Sequence, residues 1–222
     1  MARPRIPETD NGITGEFTCE MYNEMQRRFR DRGWIETDDV IKAGIVSGHA
    51  LEVGPGPGYL GLEWLKKTEG TRLTGLDISP DMLEICRRNA GEYGFADRAT
   101  YVESKGQSMP FEDDHFDAVF TNGSLHEWED PVQVMNEIAR VLRPGGRYFI
   151  SDLRRDMTPL LKWIMYAGCK PKAMRPGLLT SLRAAYTPAE LRGIVNVSHL
   201  PDPLVTSNVI GVSCTGCAHR DS

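Results

Sequence analysis

The sequence predicts an α/β fold, a doubly wound and mostly parallel sheet with helices on both faces, and three stretches predict it. Ala50-Leu51-Glu52-Val53 has strand character, runs into glycines at 54, 56, 58 and 61, and continues as a helical pattern through Leu62, Trp64 and Leu65. Leu73-Thr74-Gly75-Leu76-Asp77 is a second strand pattern, followed by a helix start at Ser79-Pro80-Asp81. A third pair is Phe116 to Thr121 and the helix opening at Asp130-Pro131, and Pro144-Gly145-Gly146 then turns the chain into a strand over 147–151. Strands alternating with helices need parallel pairing.

The glycine-rich turn at 54–61 is the organising element. Glycines allow a sharp turn and close approach of a ligand, and the helix N-terminus that follows offers unpaired N–H groups. Gly56-Pro57-Gly58-Tyr59-Leu60-Gly61 also satisfies the dinucleotide pattern G-x-G-x-x-G. Pro55 and Pro57 have no N–H, however, so the loop has fewer donors for a pyrophosphate. Glu52, two residues before the first glycine, suits a ligand with a positive charge and repels phosphates. Asp77 ends the second strand, placed to accept hydrogen bonds from ribose hydroxyls.

These residues resemble the class I S-adenosylmethionine-dependent methyltransferases. The matching motifs are the acidic loop Glu52, Gly54, Gly56, Gly58; the strand end Leu76-Asp77-Ile78-Ser79; Met109-Pro110-Phe111 before Phe116-Asp117-Ala118-Val119; and Leu142-Arg143-Pro144-Gly145-Gly146. Within that group the chain is similar to the small-molecule branch that includes ubiquinone and menaquinone methyltransferases. The resemblance covers about Leu51 to Asp152 and implies a Rossmann-like, seven-stranded sheet with an antiparallel edge strand and a helical cap. It also implies S-adenosylmethionine as cofactor, S-adenosylhomocysteine as product and a small-molecule acceptor.

Length and composition fit that scale. A chain of 222 residues with 40% hydrophobic content buries its core as one domain. The expected division is an N-terminal arm and helical cap over 1–49, a cofactor-binding core over 50–152, an acceptor-side cap over 153–186, and a C-terminal helix and closing strand over 187–222. A net charge of -5 argues against a nucleic-acid acceptor. From Ser151 to Arg192 eight Lys or Arg face three acids, a basic cap that either favours an anionic acceptor or surface or is a solvated helix face. No secretory signal or membrane-spanning run is visible, and five cysteines without framework spacing fit a reducing compartment, so a cytoplasmic location is expected. The sequence leaves the oligomeric state open.

In chain order, residues 1–15 read as an arm, and Phe17 to Arg32 as a helix with Met21, Met25 and Phe29 on its packing stripe and Arg27, Arg28 and Arg30 toward solvent. The resemblance makes Tyr22 a candidate for the methionine carboxylate of the cofactor, against the alternative of a core tyrosine. Thr37 to Ile45 is a second short helix. By resemblance Ile78 and Met82 sandwich the adenine, against the alternative of plain core. The family's acidic residue that accepts from the adenine amino group falls at Lys105, which cannot accept, so the backbone N–H of Gly106 or Gln107, or the Gln107 side chain, has to take over. The strand-end loop from Asn122 to Trp128 is the candidate reaction site. Asn122 and Gly123 are set against the cofactor, and His126 is the candidate base or acceptor contact, against the alternative of a packing or capping residue.

Beyond Asp152 the expected elements are a helix over 158–167, a loop over 170–177, a helix over 178–185, and a helix opened by Thr187-Pro188-Ala189-Glu190. By resemblance to the group, in which an insertion after the fifth strand covers the acceptor pocket, Trp163, Met165, Tyr166 and Met174 are candidate acceptor contacts, against the alternative of plain core, and Val205 to Ser213 is the closing strand. Cys214-Thr215-Gly216-Cys217 with His219 is weighed as a zinc pattern and set aside for want of a second ligand pair, so no metal is expected. Three functions compete: small-molecule methyl transfer, a nicotinamide-dependent oxidoreductase, and a non-catalytic S-adenosylmethionine-binding protein.

Overall fold

The computed structural model describes residues 4–8, 13 and 15–218. Among them the sheet has seven strands in the order β3-β2-β1-β4-β5-β7-β6. The strands are β1 His49–Val53, β2 Arg72–Asp77, β3 Ala99–Glu103, β4 Phe116–Asn122, β5 Leu142–Leu153, β6 Leu204–Ser207 and β7 Gly211–Cys217. The helices are α1 Glu16–Asp31, α2 Thr37–Lys42, α3 Tyr59–Lys67, α4 Pro80–Tyr93, α5 Pro131–Val141, α6 Pro159–Gly168, α7 Arg175–Ala184 and α8 Pro188–Val195. β1 to β5 pair in parallel, and β7 runs antiparallel to both β5 and β6. This is the mostly parallel, Rossmann-like sheet expected from the alternation of strands and helices.

Strand pleating sends successive residues to opposite layers. In β1, Ala50 joins the core under α3 and α4, whereas Leu51 and Val53 join the core under α5 and α8. Trp64 of α3 is the largest fully buried side chain of the first core; its Nε1 donates to Ile45 O at 2.8 Å and its ring packs 5.6 Å from Phe120. On the other face Val134, Ile138 and Val141 of α5 are fully buried, the stripe that their spacing predicts.

The helix starts follow local chemistry. Ser79 Oγ accepts from Met82 N with Pro80 in the first turn, and Asp130 and Thr158 cap α5 and α6 in the same way. At Thr187 the reciprocal capping box is complete: Glu190 N donates to Thr187 Oγ1, and Thr187 N donates to the Glu190 carboxylate.

Four expectations are corrected. The closing strand over 205–213 is a hairpin, in which β7 lies against β5 and β6 takes the edge. Asn208 Oδ1 accepts from Ile210 N and Gly211 N, an Asx turn that splits the apolar run. The helix expected from Leu178 begins at Arg175, because Pro176 sits in its first turn, where no N–H is needed. The inward face of α1 is Cys19 and Asn23, while Met21, Met25 and Phe29 are only half-buried, and Arg30 turns over the Tyr59 ring, whereas Arg27 stays partly exposed as its Nε donates to the Tyr59 hydroxyl.

Cys214 is buried and Cys217 half-buried in β7, where residues three apart point to opposite faces, so the two thiols do not converge. His219 lies outside the described residues, as do residues 1–3, 9–12 and 14 of the expected arm. No helix among the described residues is long and apolar enough to cross a membrane.

Candidate active site

Between β1 and β4 the strand order reverses, and the carboxyl ends of the strands diverge there into a cleft. The cleft measures about 1050 Å³ including its open mouth. Its walls bring together Tyr22, Glu52, Gly54, Gly56, Asp77, Ile78, Met82, Gly106, Gln107, Asn122 and Gly123, eleven of the twelve residues expected around the cofactor.

The twelfth, Gly58, is set back from the cleft. It caps α3 in the left-handed region at φ +84°, and a Cβ there would stand 3.3 Å from Cys86 Sγ. Gly58 therefore shapes the loop rather than lining it. Gly54 and Gly56 are also left-handed, and a Cβ on Gly56 would meet the Tyr22 ring at 3.2 Å.

The donors of this loop are spent internally. Gly54 N donates to Leu76 O at 2.8 Å, Gly56 N to Asp77 Oδ2 at 3.3 Å and Gly58 N to Pro55 O at 2.9 Å, while Pro55 and Pro57 have none. A pyrophosphate finds no unused N–H over 54–58.

Glu52 is only 2% exposed, and its Oε2 has no hydrogen-bond partner among the described residues. Burial pushes its carboxyl up to about 8, against the pull of a bond from the Gly61 N–H. At neutral pH this carboxyl is largely protonated in the free protein, and a positively charged ligand in the cleft that Glu52 lines would draw it toward the ionised form. Asp77 accepts from Ser79 N at 3.0 Å and from Gly56 N, so one carboxylate fixes both the loop and the start of α4. Burial pushes the Asp77 carboxyl up and these N–H bonds pull it down.

Where the resemblance puts the adenine, the wall of the cleft is Ser104, Lys105, Gly106 and Gln107. Lys105 is exposed, and its carbonyl accepts from Ser108 N at 3.1 Å. Gln107 O accepts from Gln133 Nε2 at 3.3 Å, which ties this loop to α5.

At the other end lies the loop after β4. Asn122 Nδ2 donates to Ser151 Oγ at 2.9 Å, and Gly123 takes φ +72°. His126 is 5% exposed and does not line the cleft. Its Nδ1 lies 2.9 Å from both oxygens of Asp152, and its backbone N donates to Asp152 Oδ2 at 2.7 Å. Burial alone pulls the imidazole down, but the Asp152 charge and hydrogen bond outweigh it and hold the pKa at about 9. With Nδ1 engaged by Asp152 and the ring set back from the cleft, His126 does not stand where a base would meet an acceptor in that cleft.

The neighbouring Glu127 reaches the cleft instead, with Trp128 and Ser124. Sequence reasoning also passed over Gln26 and Ile35, which line the cleft from the N-terminal helical region; their only signal is proximity to Tyr22 and to α2. Trp163, Met165, Tyr166 and Met174 do not line it. α6 has no buried residue, and Trp163 is 65% exposed.

Comparison with known proteins agrees with this geometry. Residues 51–150 match the family model described as a methyltransferase domain. The methyltransferase GfsG of Streptomyces halstedii is 36% identical over 110 residues, which are 49% of this chain and 39% of the relative. The ubiquinone/menaquinone biosynthesis C-methyltransferase UbiE of Paracoccus denitrificans is 31% identical over 116 residues, covering 52% of this chain and 46% of the relative. The chain thus spans less than half the length of either. Among solved structures, a Methanococcus maripaludis protein classed as an S-adenosyl-L-methionine-dependent methyltransferase superposes with a TM-score of 0.74 at 18% identity, over 99% of this chain and 98% of the other. That likeness is one of fold. The domain over residues 51–150 belongs to the class I S-adenosylmethionine-dependent methyltransferases, and S-adenosylmethionine is the cofactor such a domain takes.

Proposed function

We propose that the protein transfers the methyl group of S-adenosylmethionine to a small-molecule acceptor. The observation that carries this reading is the pairing of a buried, half-used Glu52 carboxylate with a glycine loop whose N–H groups are all engaged. That loop offers a pyrophosphate no free donor over 54–58, which speaks against the nicotinamide alternative, and a ligand with positive charge would draw Glu52 into its ionised form.

When bound, S-adenosylmethionine supplies a sulfonium-activated methyl group that a nucleophile displaces in line. The residues around it hold, align and dry the reactants. In this reading Asp77 accepts from the ribose hydroxyls, Ile78 and Met82 flank the adenine, and Gly106 and Gln107 meet its edge. Tyr22 and Glu52 serve the charged amino-acid end, and Asn122 and Gly123 close the wall beside the reacting centre. Holding two reactants in line removes roughly 7–11 kcal/mol of barrier in the best cases, so the reaction needs no base when the acceptor arrives ionised. His126 acts here as a positioning residue, pinned by Asp152 beneath the loop that ends in Glu127 and Trp128.

A small-molecule acceptor is supported by the acidic net charge, unsuited to a nucleic-acid backbone, and by relatives named for quinone, sterol and fatty-acid substrates. Calorimetric titration with S-adenosylhomocysteine, with NAD as control, tests the reading. Micromolar binding of the first alone supports it, and binding of NAD, or of neither, rejects it. Release of S-adenosylhomocysteine in an acceptor screen then separates an enzyme from a non-catalytic binder.

A further inference from the structure

His126 is more than an orienting side chain. Its ring is 5% exposed, Nδ1 is held against Asp152, and Nε2 has no hydrogen-bond partner among the described residues. Two carboxylates face that orphaned nitrogen from different parts of the chain. Glu8 Oε2 lies 3.5 Å away and Glu127 Oε1 3.9 Å away. One ligand atom from each of the three residues falls within 4.8 Å of the others.

The spacing suits an ion between them. Two ligands each about 2.1 Å from one cation stand roughly 3.4 to 4 Å apart at angles near tetrahedral or wider. The second sphere suits it as well. A metal-bound histidine characteristically turns its other ring nitrogen to a carboxylate, which fixes the tautomer, and the cation takes the place of the proton otherwise carried at Nε2. Asp152, 4% exposed, stands where such a carboxylate belongs. Three carboxylates, those of Glu8, Glu127 and Asp152, surround a single imidazole, a local excess of negative charge. The Arg5 guanidinium donates to the carbonyls of His126 and Ala184.

Glu8 is itself anchored. Ile6 N donates to Arg183 O at 3.1 Å, the Arg5 guanidinium lies 4.2 Å over the Tyr186 ring, and Thr180 and Ser181 donate to the Glu8 carboxylate. The segment 4–8 therefore delivers a carboxylate to the loop after β4 across more than a hundred residues of sequence, where no spacing motif would reveal it.

We propose that Glu8, His126 and Glu127 form a binding site for one divalent transition cation, with Asp152 as the outer partner of the histidine. Two carboxylates and an imidazole suit manganese, ferrous iron or zinc rather than a thiolate-seeking metal. The site borders the cofactor cleft through Glu127 and does not depend on methyl transfer.

Manganese is the probe, because the free cysteines compete little for it. The metal-stripped full chain is titrated with Mn²⁺, and the loss of the free-ion paramagnetic resonance signal is followed. The same is done for Glu8→Gln, which keeps the backbone contacts of the segment, and for His126→Gln. The expected result is one bound equivalent with micromolar affinity, weakened at least about tenfold in each variant. Failure of the wild type to bind, or unchanged affinity in Glu8→Gln, overturns the proposal. If His126→Gln fails to fold, Glu8→Gln decides alone. S-adenosylhomocysteine binding measured on the same samples keeps this outcome distinct from that of the methyl-transfer reading.

Discussion

The carboxylate of Glu52, at the end of β1, accepts the backbone N–H of Gly61, in the first turn of α3, and keeps Oε2 unpartnered. The two are packed so closely that a Cβ on Gly61 would strike the Glu52 side chain and Leu73. A strand end and a helix N-terminus are thereby joined by a buried carboxylate with one oxygen unpartnered among the described residues.

A pH dependence follows from that carboxylate. In the free protein its pKa is about 8, well above an ordinary glutamate, so its contribution to stability is complete below about pH 4.5 and is lost as pH rises toward 8. A bound cation favours the ionised form. Affinity for S-adenosylhomocysteine, whose ammonium group carries the charge, should therefore rise with pH until about 8 and then level off. Glu52→Gln should flatten the profile, weaken binding about tenfold or more, and leave the free protein more stable than wild type at pH 8. Calorimetry and thermal melts from pH 6 to 9 check all three.

Gly61→Ala tests the contact from the other side. The added methyl group forces Glu52 or Leu73 to shift, in a core with no room for it. A loss of about 1–3 kcal/mol and a parallel loss of ligand affinity are expected. Urea unfolding with and without S-adenosylhomocysteine measures both.

The stretch from Ala50 to Ser151 was legible because its signals are local: apolar alternation in the strands, glycine where φ is positive, Ser, Asp or Thr before proline at helix starts. What escaped was set by contacts distant in sequence. The inward face of α1 is polar, with Asn23 bonded to Tyr59 and Asn89, and Tyr22 and Gln26 at the cleft, so hydrophobic periodicity pointed to the wrong stripe. Glu8 reaches His126 only through the docking of the 4–8 segment on α7. The burial of His126 against Asp152 joins the loop after β4 to β5, a pairing that no spacing encodes.

Trp64 tests the scaffold away from the cleft. Its ring is fully buried among Ile45, Leu73 and Phe120, and its N–H satisfies the Ile45 carbonyl. Trp64→Ala opens a cavity and leaves that carbonyl unpartnered, and should cost about 3–5 kcal/mol. Trp64→Phe keeps most of the packing and should cost less than half as much. Chemical denaturation of the two variants separates the contributions.

Lys105 lines the cleft where the resemblance places an acceptor for the exocyclic amino group of the adenine. A lysine offers donors only. Lys105→Asp should tighten S-adenosylhomocysteine binding about tenfold, the usual value of a hydrogen bond to a charged group. Inosine-type analogues, which lack the amino group, should gain nothing. Equal gains for both would trace the effect to charge alone.

Tyr22 separates a ligand contact from a packing role. Its ring lies over Gly56 and its hydroxyl accepts from Gln26 Nε2 at 2.9 Å, which leaves the O–H proton free for an acceptor in the cleft. Burial pushes the phenol well above its usual range, so it acts as a neutral donor. If that proton serves the carboxylate of the ligand, Tyr22→Phe weakens S-adenosylhomocysteine about tenfold and leaves adenosine, which has no carboxylate, unchanged. A tyrosine that only packs predicts the same small change for both ligands, so the ratio of the two affinities, rather than either alone, carries the answer.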